Sequence, residues 1–171
     1  MSGNIALFAL GLLIWSFAEY AIHGWLGHLM GGAIAELHQV HHRDPHAVFT
    51  IGVWLPAAVI WTAGLVMFGW SAPMVVLSGI LAGFAFYEAL HYRIHFRRPR
   101  TAFERYLHAR HMRHHRGVAR GYLGVTSPLW DMVFGTEPTD RLETQPIGPL
   151  TGPTNVRLVL SFHYLRRAYP R

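Results

Sequence analysis

A chain of 171 residues has room for one domain; with 51% of it hydrophobic and only 14% charged, it carries too few solvating side chains for an ordinary water-soluble globule, so a membrane protein is expected. It has no cysteine, which excludes disulfides, zinc-thiolate clusters, iron-sulfur clusters held by this chain and thiolate nucleophiles. All 15 basic residues behind the net charge of +6 are Arg, so a P-loop lysine and any Schiff-base lysine are excluded, and with them retinal and pyridoxal chemistry.

In chain order, Ile5 to Ile22 is an apolar stretch of 18 residues whose only charge is Glu19, and it predicts a first span at about 5–22. A cleaved signal peptide is disfavoured, because no basic region precedes the stretch and cleavage would part Glu19 from His23, four residues on. Ala47 to Trp70 has no charge over 24 residues and predicts a second span at about 49–70, kinked at Pro56. After the short link Ser71-Ala72-Pro73, a third span is predicted at 73–90, with Glu88 near its end. Spans two and three form a hairpin that crosses and returns. Parity therefore reunites two histidine-rich windows, 23–46 and 91–115, on one face. Residues 91–171 hold 14 Arg against five acids while residues 1–90 hold one Arg against four, so that face is expected to be cytoplasmic. The fold class predicted is all-α: a single domain over 1–171, a membrane bundle of about three transmembrane helices in an inner or cytoplasmic membrane, and a His-rich helical cap over 91–171.

The two windows hold 12 of the 13 histidines, where an even spread would place about four. The groups are His23-x4-His28, His38-x2-His41-His42, His91-x3-His95 and His111-x2-His114-His115. Separations of three and four residues put imidazoles about one turn apart on a helix, the spacing that presents two nitrogens to one metal ion. Gathered imidazoles repel one another when charged and lack partners when neutral and dry; bound metal resolves both. Ten grouped ligands exceed the needs of one ion, so two metals are implied, and iron, zinc, copper and nickel all accept such a donor set. His46, His108 and His163 fall outside the groups and read as surface or helix-end residues. The first group is irregular: five residues turn about 140° around an ideal helix, so Gly24 and Gly27 are expected to end the helix between the two histidines. Glu19 and Glu88 stand where a carboxylate could accept the second ring N–H of a ligand and fix its tautomer.

Beyond Thr136, Pro138, Pro146, Pro149 and Pro153 signal a loop. Asn155 to Tyr169 suits either an amphipathic helix on the membrane or a packed terminal helix of the cap. Tyr122, Trp130, Asp131 and Phe134 suit either a lid over the metals or a structural wedge, with Asp131 counted beside Glu19 and Glu88 as a residue behind the ligands.

Over residues 18–136 these motifs resemble the membrane fatty acid hydroxylase superfamily, which includes sterol desaturases. The likeness lies nearest to fatty acid 2-hydroxylases. It rests on Glu19-Tyr20-x2-His23, His38-x2-His41-His42, Tyr87-Glu88-x2-His91-x3-His95, His111-x2-His114-His115 and the run Gly124 to Thr136. The resemblance implies that His23, His28, His38, His41, His42, His91, His95, His111, His114 and His115 ligate a pair of metal ions. These are functionally two iron ions, with zinc an ion the same ligands would take on purification. With O2 as co-substrate, the implied reaction hydroxylates or desaturates an unactivated lipid C–H bond. Longer members have about four spans against three counted here, and some carry a fused cytochrome b5 domain without counterpart. With no cysteine and no dinucleotide-binding motif, a separate donor of ferredoxin or cytochrome type is implied. The interfacial position of the metals favours a fatty acyl chain attacked near its polar end. A carotenoid ring hydroxylase is the nearest alternative, and the Gly124–Thr136 run favours the acyl branch. A metal transporter would need ionisable residues inside its spans, which the second lacks. Nucleic-acid binding does not suit a chain of three spans without a recognition motif.

Overall fold

Glycines decide how the first and last long helices meet. The computed structural model describes residues 2–45, 51–116 and 121–138, the backbone alone at 51–53. Helix α1 (Ser2–Tyr20) lies against α4 (Ala72–Phe96). A Cβ on Gly11 would stand 2.2 Å from the Val76 carbonyl oxygen, and one on Gly79 would stand 2.2 Å from that of Phe8. The two backbones therefore touch, the small-residue packing by which apolar helices associate without a hydrophobic driving force. One turn on, Gly83 leaves room for Trp15, whose ring lies 4.9 Å from that of Phe84. Contacts that advance along both chains mean that α1 and α4 run parallel.

Helix α3 (Ile51–Phe68), with Pro56 inside it, folds back antiparallel on α4. Trp54 stacks on Phe84 at 4.5 Å, while Trp61 donates its indole N–H to Ser78 Oγ at 3.0 Å. The turn between them uses Gly69 at φ +55°, a conformation open to glycine. Outward, Leu55, Val59, Ile60, Val66 and Met67 of α3 and Ile5, Leu10, Leu13 and Ile14 of α1 are exposed apolar side chains, the surface a bilayer would cover. By length and composition Ser2–Leu29 and Ala72–Phe96 suffice to cross a membrane, and the apolar stretch Trp54–Phe68 of α3 is shorter.

The described residues contain helices and no strands. Two element ends differ from expectation. The first helix does not stop near residue 22; it widens into a π-helix, π1 (Ala21–Leu29). The last apolar helix does not end at residue 90; α4 runs on to Phe96 and carries His91 and His95 itself. Helix α2 (Ala33–Arg43) follows π1 after the positive-φ pair Gly31 and Gly32. Helix α5 (Ala102–His115) starts at an N-cap, where Thr101 Oγ1 accepts from the Glu104 N–H at 3.0 Å. The Glu104 carboxylate also pairs with Arg93 of α4 at 2.7 Å, tying the two helices together. Leu90, Ile94, Leu107 and Val125 close the core under this junction. The short α6 (Leu129–Phe134) ends at Gly135, φ +68°. His46 and His163, the Pro146–Pro153 stretch and the Asn155–Tyr169 helix lie outside the described residues.

Candidate metal centre

The ten grouped histidines converge as two adjoining sets of five. His23, His28, His38, His42 and His114 form one cage, and His41, His91, His95, His111 and His115 the other, with the candidate ligand atoms of each set within 4.8 Å of one another. On α2, residues four apart lie about 40° from each other around the axis and residues three apart about 60° the other way. His38 and His42 therefore face the first cage while His41 turns to the second. Helix α5 mirrors this, with His111 and His115 in the second cage and His114 in the first. Each His-x2-His-His motif thus serves both cages.

The pair at five residues obeys a different helix. In π1 the i→i+5 ladder widens the turn, so residues five apart come to the same side of the helix, and His23 and His28 share a cage. Gly24 and Gly27 do not end the helix. A Cβ on Gly24 would lie 2.7 Å from a Leu123 methyl and one on Gly27 would lie 3.2 Å from the His38 ring, so both glycines permit close approach.

In the first cage, Nε2 of His38 lies 2.7 Å from that of His28 and 2.8 Å from that of His42, and His28 lies 2.9 Å from His114. In the second, His111 Nε2 has three neighbours of its own kind: His91 at 3.0 Å, His95 at 2.9 Å and His115 at 3.0 Å. One ring nitrogen offers one in-plane proton or one lone pair, so three such contacts cannot all be hydrogen bonds. A bound cation would satisfy them. The two cages touch where His42 and His115 stack at 4.2 Å.

Hydrogen bonding assigns tautomers on the first cage. Nδ1 of His23 meets the carbonyl of Leu123, and Nδ1 of His114 meets that of Gly121 at 3.1 Å. A carbonyl only accepts, so both rings carry their proton on Nδ1 and present Nε2 as a lone pair. His23 Nε2 is buried without a hydrogen-bond partner, the mark of a nitrogen waiting for a cation. Burial, then neighbouring imidazoles, lowers these histidines: His42 to about 4, His114 and His115 to about 2, and His38 and His111 well below the ordinary value. They are neutral at pH 7, as metal binding requires.

Residues 8–136 match the sequence profile of the fatty acid hydroxylase family. The chain belongs to that family. It is 31% identical over 148 residues to a dihydroceramide fatty acyl 2-hydroxylase of Arabidopsis thaliana, covering 76% of this chain and 60% of the plant protein. It is 31% identical over 146 residues to the fatty acid 2-hydroxylase of Mus musculus, covering 77% of this chain and 39% of the mouse protein. A ceramide very long chain fatty acid hydroxylase of Schizosaccharomyces pombe is 31% identical over 150 residues, 78% of this chain and 42% of the yeast protein. The chain thus spans about two fifths to three fifths of the length of these relatives. No solved structure matches it.

In this family member Glu19 acts at one remove from where spacing put it. Glu19 does not reach His23. Its oxygens accept from the backbone N–H of Val125 at 2.7 Å, that of Thr126 at 2.8 Å, and the Thr126 hydroxyl, while His23 takes its tautomer from Leu123. Asp131, fully buried, accepts from the N–H groups of Leu123 and Gly124, each at 2.7 Å, and from the Thr136 hydroxyl at 2.8 Å. Glu88 is buried and accepts the Trp54 indole N–H. The segment around Asp131 is a wedge and not a lid: Trp130 bonds to Ser16 at 3.1 Å, Phe134 stacks on Tyr20 at 5.4 Å, and Tyr122 is buried beneath Arg110. His108 belongs to neither cage; it lines a small cleft with Arg93, Arg97, Arg98 and Glu104.

Arg110 carries no signal in the sequence. Its side chain is 1% exposed and pairs with Asp131 at 2.7 Å and with Glu137. Nothing in an Arg-rich helix marks which Arg turns inward. The carbonyls of Gly121 and Leu123 are equally invisible in the sequence, because backbone groups have no residue signature, and Thr126 lies in the Gly124–Thr136 run without its partner Glu19 being marked.

Proposed function

We propose that the chain is an O2-dependent lipid hydroxylase that uses two iron ions, held by the ten caged histidines, to oxidise an unactivated C–H bond of a fatty acyl chain near its polar end. The observation that carries this is the pair of neutral five-imidazole cages joined to the ends of apolar helices in a fatty acid hydroxylase family member. Acyl 2-hydroxylation by its relatives supports the same substrate class. When bound, an iron pair supplies the redox chemistry that turns O2 into an oxidant strong enough for an alkyl C–H bond.

The protein's own residues do the rest. Leu123 and Gly121 keep His23 and His114 in the tautomer that leaves Nε2 open. Apolar side chains exposed on α1 and α3 keep the bundle in lipid, so an acyl chain can approach from the bilayer at the helix ends where the cages lie. The Arg-rich cap then faces the cytoplasm, where a separate donor of ferredoxin or cytochrome type delivers electrons. Zinc fills the same ligands without redox chemistry. Ring hydroxylation of a carotenoid or desaturation of a lipid by the same centre are the alternatives within this chemistry.

The test is to express the chain and its His114→Ala variant in a lipid-defined host and compare lipids by mass spectrometry. Acyl chains that gain one oxygen with the native chain alone are the expected result. Loss of two hydrogens would show desaturation, an oxygenated carotenoid would move the substrate, and oxidation only deep along an acyl chain would overturn the polar-end assignment. Unchanged lipids and carotenoids would overturn the enzyme reading.

A further inference from the structure

The two cages are not held in the same way. The second is built from two pairs at four-residue spacing, His91/His95 on α4 and His111/His115 on α5, with His41 from α2. Each pair stands one turn apart on its own α-helix. Its central ring, His111, has no outer support, since its Nδ1 is buried without a hydrogen-bond partner. The first cage takes two of its five rings, His23 and His114, in orientations set from outside, by carbonyls of the irregular segment 121–126.

That segment has no helix or strand ladder of its own. Four successive N–H groups, Leu123 to Thr126, point instead at two buried carboxylates: Asp131 takes Leu123 and Gly124, and Glu19 takes Val125 and Thr126. Asp131 is held in turn by the buried Arg110, whose guanidinium also reaches Glu137. A carboxylate that accepts two N–H groups and an Arg fixes them in direction as well as position.

We infer that Asp131, Arg110 and Glu19 are positioning residues for the first cage alone, so that its ion is held conditionally on the 121–126 segment while the second ion is not. This rests on the dimetal reading above and adds to it an order of metal loss. Asp131→Asn keeps the side-chain volume but puts an NH2 group in place of one oxygen, facing either the Leu123 N–H and the Thr136 hydroxyl or the Gly124 N–H and Arg110, and either way it breaks the hold on the segment. The Leu123 carbonyl then loses its fixed aim at His23. Removing an outer partner of a ligand typically weakens metal affinity about 10- to 100-fold.

The experiment loads purified native protein, Asp131→Asn and Glu104→Gln with ferrous iron under anaerobic conditions, counts ions per chain, and titrates each with a competing chelator. Glu104→Gln breaks an ion pair between α4 and α5 outside the segment and controls for general loosening. Two ions are expected in the native chain and in Glu104→Gln. In Asp131→Asn one ion should keep its native affinity and the other should bind about 10- to 100-fold more weakly. Histidine modification by diethyl pyrocarbonate, read by mass spectrometry during native chelation, identifies the ion that leaves first. His28, His38 and His42 should become reactive while His95 and His115 stay protected. This readout needs no variant, so it decides the matter even if Asp131→Asn does not fold. Two ions of native affinity in Asp131→Asn, equal weakening of both, or simultaneous exposure of both histidine sets would overturn the inference and leave the dimetal reading intact. A native chain that takes up no iron would overturn both.

Discussion

A carbonyl oxygen can only accept a hydrogen bond, and that one restriction settles the state of His23 and His114 more firmly than any feature of their sequence context. Their residue type was legible as a metal ligand; the partner that orients them was not. Glu19 stands four residues before His23, yet its acceptors are spent on groups more than a hundred residues away in the chain. Local spacing carries no information about such a partner. The pH response belongs to this scale. In the metal-free fold, burial holds His42 near 4 and His114 and His115 near 2, against 6.5 for a free imidazole. The unfolded chain takes up protons from pH 6.5 downward while the folded one refuses them, so stability is full above that pH and falls as the pH drops toward those lower values. Chelator-treated protein should show a melting temperature that is flat from pH 8 to 7 and declines below 6.5. Iron-loaded protein should hold its melting temperature to lower pH, because the ion competes with the proton for the same nitrogens. A melting temperature that rises on acidification would contradict this account.

Among the elements, π1 is the departure that matters most. An α-helix over residues 21–29 would separate His23 and His28 by about 140°; the π ladder brings them together, and it is stable here because the segment packs under Leu123 and against the His38 ring. That choice is made by tertiary contacts, which explains why the sequence pointed to a helix end instead. The α1–α4 seam makes a second testable element. Gly79-x3-Gly83 and Gly11 were legible only as residues inside apolar runs, since a close approach has two sides and a single stretch shows one. Gly79→Ala places a methyl group against the Phe8 carbonyl, which must move. The expected cost is about 1–3 kcal/mol, seen as a lower melting temperature in detergent. Gly11→Ala should do the same, and the double variant should cost less than the two together, because one separation of the helices relieves both clashes. An unchanged melting temperature in Gly79→Ala would show that the seam is looser than its geometry.

At the scale of the whole molecule, the parallel run of α1 and α4 with α3 reversed against α4 brings both histidine windows to one end, as counting apolar runs had anticipated. Which side of the membrane that end faces is open to direct measurement, and a chain without cysteine is convenient for it. Ser71→Cys, in the α3–α4 turn, should react with a membrane-impermeant maleimide added to intact cells. Arg98→Cys, between α4 and α5, should react only after permeabilisation. The reverse pattern would place the cages on the outer face and overturn the cytoplasmic assignment.

The sequence by itself determined the helical class, the apolar runs and the ten imidazoles, because hydrophobic length and donor type are properties of a stretch or a residue. Only the tertiary structure decided how those imidazoles divide five and five, why a five-residue offset works and which carbonyls and carboxylates stand behind the first cage. Each of these depends on the direction of a side chain or a backbone group relative to a partner remote in sequence, and direction exists only once the helices have packed.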